Sequence, residues 1–231
     1  MTPRFPGYDV LAKRHTPSWN EATRRVIDAR LSVHPGPRFF NETEWQTLTA
    51  VCARIVPQPK DRPPVPLPAY VDAKLLADKQ DGYRFEGVLP QREAWRAGLE
   101  ALDASSTERH ARRFHALAPA EQDGILKACQ AGELAGPLWR GMPSKLFFAK
   151  RVIKDIVGAY YAHPTAWNEM GFGGPAYPRG YMRLEEGEAE PWEVDEQRYE
   201  WVAPSDTLSD KEEAHGSGQS HQSHHGQAGT H

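Results

Sequence analysis

From Tyr160 to Tyr181 the chain sets Trp167, Phe172, Tyr177 and Tyr181 on a backbone interrupted by Pro164, Gly171, Gly173, Gly174, Pro175 and Pro178. Glycine and proline at that density cannot continue a helix or a central strand, so the segment is expected to run as ordered coil. Rings carried on coil have no helix face to hide them. Either the chain's own core, as a lid, or a second protein must cover them, and every fold open to this sequence has to meet that requirement. For residues 165 to 181 both covers remain open.

With 231 residues, 39% of them hydrophobic, the chain can bury one proper core, while 20 prolines consign much of the remainder to irregular structure. One domain with irregular ends is expected. A balance of 28 basic against 31 acidic residues, net −3, supplies no attraction to nucleic acid or to an anionic membrane. No run approaches the roughly 18 to 20 consecutive apolar residues that spanning a bilayer requires, so direct membrane insertion is not expected. Met1 to Asp9 is followed by no continuous apolar stretch, and Arg24-Arg25 leads into Val26-Ile27-Asp28-Ala29-Arg30, which is neither a secretory nor a twin-arginine pattern. Cys52 and Cys129 each sit among apolar residues at helical spacing. They suit buried free thiols or a disulfide between two helices, and neither belongs to a Cys-x-x-Cys redox or haem motif.

Helix signals recur along most of the chain. Ser18, with Glu21 three residues on, predicts a first helix carrying Val26, Ile27 and Leu31 on one side, ending before Pro35-Gly36-Pro37. Asn41 with Glu44 predicts a second, whose stripe of Trp45, Leu48, Cys52 and Ile55 is stopped by Pro57. Prolines from 57 to 68 predict an extended connection. Helix resumes at Pro68 with Val71, Leu75 and Leu76 inward, and again from Pro90 to about Asp103 with Trp95, Leu99 and Leu102. After Ala104-Ser105-Ser106 a separate charged helix is expected to expose Arg109, Arg112 and Arg113 while burying Phe114 and Leu117. Pro119 to Gly132 is a further helix with Ile125, Leu126 and Cys129 buried. The longest apolar helix runs from Pro143 to about Ala162, and its Gly158 predicts a close helix neighbour. No alternating strand pattern of useful length is visible. The expected fold is mainly α, an irregular bundle of six to seven helices with a long coil and arm at the C-terminal end.

Beyond Leu184 the character changes. Glu185 to Glu200 holds eight acids and one base, Arg198, with Trp192, Tyr199 and Trp201 interleaved, and from about Ser205 a Gly, Ser, Gln and His tract cannot fold alone. The expected organisation is an N-terminal arm and first helix over 1–37, a helical domain over 38–184, an acidic aromatic arm over 185–204 and a disordered His-rich tail over 205–231. Aromatic residues on irregular segments suit the centre of an interface, which points to Trp167, Asn168, Phe172, Tyr177, Tyr181, Trp192, Tyr199 and Trp201 as partner-contacting residues. Glycine-rich cradles following a strand, a Walker loop, a nucleophile elbow and a His-Glu-x-x-His motif are all missing. No catalytic, cofactor or metal residue is assigned. Two other functions remain open: a free-standing enzyme using His163 with Glu169 as an acid–base pair, and metal handling through the terminal histidines, His215, His221, His224, His225 and His231.

Phe39-Phe40 leading into Glu44-Trp45-x-x-Leu48 and ending at Arg54-Ile55-Val56-Pro57, the Val71-Asp72 helix start, the Phe114 to Gln122 segment, Gly158-x-x-Tyr161-x-x-Pro164, Asn168 and the Gly171 to Pro175 loop together resemble the gluconate 2-dehydrogenase subunit 3 family over roughly residues 38 to 182. These motifs are diffuse rather than catalytic. The resemblance implies a non-catalytic small subunit that binds an FAD-containing subunit of the glucose-methanol-choline (GMC) oxidoreductase type, in a complex acting on CH-OH groups of sugars or alcohols. It also implies a cytochrome c carrying haem as a third subunit in some complexes, and a role in stabilising or exporting the folded flavoprotein. Members commonly carry a twin-arginine signal, which is not visible here. The expected location is therefore the periplasm by co-export with a signal-bearing partner, or otherwise the cytoplasm.

Overall fold

In the computed structural model, which describes residues 5, 7–83 and 85–175, every regular element is helical. Helix α1 (Glu21–Leu31) opens on Asn20, whose Oδ1 accepts the Thr23 N–H at 2.9 Å. The expected cap, Ser18, stands two residues early, in a bend where its own N–H donates to Thr16 Oγ1. Thr23 and Ile27 are the buried residues of α1, whereas Val26 and Leu31 face outward. In α2 (Glu42–Ile55) the predicted capping box is present, with Glu44 N–H donating to Asn41 Oδ1 and Asn41 N–H to Glu44 Oε2, each at 2.9 Å. Leu48, Val51 and Cys52 are buried along it.

An extended connection leads to α3 (Leu67–Leu76), where Val71 and Leu75 point inward but Leu76 is exposed. Helix α4 (Gln91–His110) runs straight through Ala104-Ser105-Ser106, where a break was expected. Ser106 Oγ donates to the Leu102 carbonyl and Thr107 Oγ1 to that of Asp103, so these hydroxyls bond back one turn instead of competing with the helix. The helix ends at Ala111, in the left-handed region at φ +54°. Phe114 and Leu117 are buried as predicted, from a short 3-10 turn (Phe114–Ala116) rather than a further helix. Helix α5 (Pro119–Ala131) closes on Gly132 at φ +82°.

The long apolar helix is continuous but not uniform. Helix α6 (Ser144–Phe147), a π-helical stretch (Phe148–Ile153) and α7 (Lys154–Tyr161) follow one another with helical backbone at each junction. This rod runs beside α3, α4 and α5, and Phe147, Val152, Ile156 and Tyr160 on it join Leu48, Trp95, Leu99, Leu102, Phe114 and Ile125 in the main core. Its closest approach to a neighbour is at Gly98 of α4. A Cβ there would lie 2.3 Å from the Phe147 ring, so glycine is what lets α4 and the rod meet. Gly158 behaves in the opposite way: a Cβ there would meet nothing within 4 Å, and the close neighbour predicted for it is missing.

Asp72 is buried in the middle of α3. Its carboxylate accepts the N–H groups of Arg38, Phe39 and Phe40 at 2.9 to 3.0 Å and holds the entry to α2. The last helix, α8 (Pro164–Met170), replaces coil predicted from Pro164 onward. Pro164 occupies its first turn, where a missing N–H costs nothing, and Gly171 terminates it at φ +68°. The glycines that argued against helix act as its stop.

Candidate functional site

The end of the chain's described part is held by its beginning. A 3-10 turn (Val10–His15) lies against α8, and Val10, Trp19, Ile27 and Trp167 form a second, smaller core. Several side-chain bonds span more than 150 residues of sequence, among them one from the Tyr8 hydroxyl to the Phe172 carbonyl at 3.4 Å. Asn168 Oδ1 accepts the Val10 N–H at 2.8 Å, and Asn168 Nδ2 donates to Asp9 Oδ1. The buried Lys13 ammonium donates to Gly173 O at 2.6 Å, and Trp19 Nε1–H to Pro175 O at 2.6 Å. Gly171 lies under the Phe5 ring, 2.7 Å from where a Cβ would stand, so the coil after α8 also depends on glycine for close approach.

This clasp decides the place of three residues expected at a partner interface. Trp167 is 4% exposed, donates Nε1–H to the Tyr161 carbonyl and lies under the Arg30 guanidinium. Asn168 spends its amide on the N-terminal arm. Both face into the chain's own fold, because the N-terminal arm supplies the lid. Phe172 packs edge-on to Trp167 and keeps 45% of its surface exposed. Tyr177, Tyr181, Trp192, Tyr199 and Trp201 lie outside the described residues, as do the arm over 185–204 and the His-rich tail.

Beside the clasp, α1, α3 and α7 leave an open groove of about 260 Å³. Tyr70, Val71, Gly158, Ala159 and Ala162 give it an apolar lining, and Arg30, Lys74, Lys154 and Asp155 supply its charges. Tyr161, three residues beyond Gly158 on the same helix, is 51% exposed. Below the groove runs a buried ionic network. Asp155 accepts Trp95 Nε1–H and Lys74 Nζ, both at 2.8 Å, while Asp81 accepts Lys74, Lys154 and Arg151. Burial alone would raise the Asp81 carboxyl, but the ammonium groups of Lys154 and Lys74 outweigh it and bring it down to about 2. Arg30, whose guanidinium donates to the Ala162 carbonyl at 3.0 Å, has no carboxylate partner among the described residues.

A second hollow, about 530 Å³ beside α2 and α4, is lined mostly by polar and charged side chains, with Leu99 and Ala104 as its apolar part. Its carboxylates are already engaged: Glu44 with Arg96, Glu100 with Arg140, and Asp103 with the Thr47 hydroxyl and the Phe114 N–H.

The geometry offers no assembled acid–base pair at His163 and Glu169. His163 caps α8, its Nδ1 accepting the Thr165 N–H at 3.2 Å, rather than bonding the last carbonyls of the preceding helix. Burial and the nearby Arg30 charge lower its pKa. Glu169 pairs with Arg62 of the proline-rich connection and accepts the Tyr160 hydroxyl. Cys52 and Cys129 are free buried thiols, and burial pushes both up, Cys129 to about 12. Neither is available as a nucleophile. Among the described residues no three His, Cys, Asp or Glu converge as metal ligands, and no helix is long and apolar enough to cross a membrane.

What sequence reasoning missed here is the N-terminal half of the clasp. Lys13 and Trp19 carry no local periodicity, and their partners are backbone carbonyls far along the chain. The one usable signal was Asp9 followed by Val10-Leu11, a capped turn in an arm otherwise read as extended.

A family model described as Gluconate 2-dehydrogenase subunit 3 matches residues 42–174, which spans α2 to the end of the clasped coil. No curated protein and no solved structure matches the chain.

Proposed function

The chain belongs to the gluconate 2-dehydrogenase subunit 3 family, and we propose from that premise that it is a non-catalytic subunit of an FAD-dependent dehydrogenase complex oxidising CH-OH groups. The family match over more than half of the chain carries this reading. Its catalytic partner is a flavoprotein of the GMC type, with a haem-bearing cytochrome c as a further subunit in some assemblies. FAD then resides in the partner, and this chain stabilises or escorts the folded flavoprotein. Two features of the structure support that division of labour. His163 and Glu169 are spent on a helix cap and an ion pair that hold the fold, and an open groove with an apolar lining lies beside the clasped end, with Tyr161 exposed on the same helix. Contacts from Phe172 and from Tyr177, Tyr181, Trp192, Tyr199 and Trp201 extend the interface. Export together with a signal-bearing flavoprotein places the complex in the periplasm.

The test is affinity purification of the tagged full chain from its native host, with flavin absorbance read across the eluting peak. A constant flavin-to-chain ratio is expected. A monodisperse single-chain species without flavin, recovered while the flavoprotein elutes elsewhere, would remove the proposal. Fractionation of the same cells checks the compartment: the chain and the flavin should appear together in the periplasmic extract.

A further inference from the structure

Gly158 occupies the interior of α7, where glycine is the least favourable ordinary choice for a helix. None of the described residues explains it. Its backbone is ordinary helix rather than left-handed, and no described atom outside its own stretch of helix stands within 4 Å of where its Cβ would be. The vacant space belongs to the groove between α1, α3 and α7. Among the described residues, the groove's Arg30, Lys74 and Lys154, with Arg151 beside them, are matched by Asp81 and Asp155 as the carboxylates of their ion pairs, a surplus of two positive charges.

We infer that this groove is the anchor pocket for the flavoprotein subunit, and that its occupant is one bulky apolar side chain flanked by a carboxylate. The inference rests on the subunit reading above and deepens it. A volume of about 260 Å³ takes a single large side chain rather than a helix, which is how an interface concentrates its affinity in a few deeply seated residues. The apolar lining of Tyr70, Val71, Ala159 and Ala162 dries the side chain, and Arg30, whose charge meets no carboxylate among the described residues, receives the acid beside it. Absence of a side chain at Gly158 keeps the pocket deep.

The test compares Gly158→Ala and Gly158→Leu in the full chain, purified together with the flavoprotein that accompanies the wild type. Gly158→Ala should retain the wild-type amount of bound flavin. Gly158→Leu should retain a tenth or less, although its isolated thermal midpoint is no lower than that of the wild type. Retention of full flavin by Gly158→Leu overturns the inference while leaving the subunit reading intact. If the wild type itself carries no flavin, both fall. A second variant, Gly158→Cys, reads the pocket directly by its reaction with iodoacetamide, since Cys52 and Cys129 are buried thiols that burial holds protonated, and alkylation of the wild type gives their background rate. Its alkylation should be fast in the isolated chain and at least tenfold slower in the complex; equal rates overturn the inference. Protection already present in the isolated chain also overturns it. Recovery of reactivity on deleting residues 185–231 would then identify the chain's own acidic arm as occupant, and recovery on dilution a second copy.

Discussion

The main core and the clasp bury their residues by different means. In the main core, α2, α3, α4, α5 and the rod from α6 to α7 press apolar stripes together, and a carboxylate network built around Asp155 and Asp81 lies among them. The clasp has four buried hydrophobic residues, and its ends are tied by Lys13, Trp19 and Asn168 to main-chain groups across more than 150 residues. A core of that size cannot stand alone, so the clasp is a local unit supported by the larger one. Removing a core ring therefore unfolds everything, whereas removing a clasp ring opens only the ends.

The sharpest way to break this contrast is to truncate one ring in each region. Phe147→Ala should lower the free energy of unfolding by about 3 to 5 kcal/mol, the usual cost of deleting a buried aromatic. Trp167→Ala should lower it by less than about 2 kcal/mol, because the loss is capped by the clasp's own opening free energy. Urea denaturation gives both values, and hydrogen exchange at the Val10 N–H, which donates to Asn168, should accelerate in the second variant alone. Equal losses in the two variants would mean that clasp and core form one cooperative unit.

Acid separates the regions by chemistry. The Asp81 carboxyl is brought from 3.8 to about 2 in the folded chain. A carboxyl depressed by folding stabilises fully above its unfolded pKa and loses that contribution as pH falls through its folded value. Stability should thus decline between about pH 4 and pH 2, by about 2 kcal/mol from this group. Asp81→Asn should flatten that part of the profile in urea melts taken at successive pH values. The clasp's ties from Lys13 and Trp19 end on backbone carbonyls, which do not titrate over this range, and one titrating tie of the clasp is the Arg14–Asp28 pair, where the Arg14 guanidinium holds the Asp28 carboxyl below its ordinary value. An unchanged acid limb in Asp81→Asn would place the acid sensitivity elsewhere.

Legibility of the fold followed the range of the interaction. The Asn41 and Glu44 box, the Pro119 opening and the Gly132 stop are local patterns, and each stands where the sequence places it. Ser18 and Asn20 both satisfy a capping rule around Glu21, and only the bend held by Thr16 selects Asn20. Helix α8 is hard to see in the sequence because the glycines that follow it weigh against helix, although Pro164 at its first turn is a start signal. Asp72 and Lys13 escaped altogether, since each binds backbone groups far away in sequence and has no periodicity of its own. Among the expected interface residues, Trp167 was seen as a ring needing cover, but the cover came from Val10, Trp19 and Ile27.

Two of the helical glycines, Gly98 and Gly158, repeat the contrast on the scale of a single methyl group. Both are glycine within a helix, so Ala at either position gains roughly 1 kcal/mol of helix propensity. At Gly98 the new methyl would lie 2.3 Å from the Phe147 ring in a core with no slack, and the displaced ring should cost about 1 to 3 kcal/mol, outweighing the gain. At Gly158 the methyl enters open space, so the gain is kept, about 0.5 to 1 kcal/mol. Thermal melts of the isolated chain should accordingly shift in opposite directions for Gly98→Ala and Gly158→Ala. A fall for Gly158→Ala would mean that some group of this chain already fills the groove, and the space above α7 would then be internal packing rather than surface.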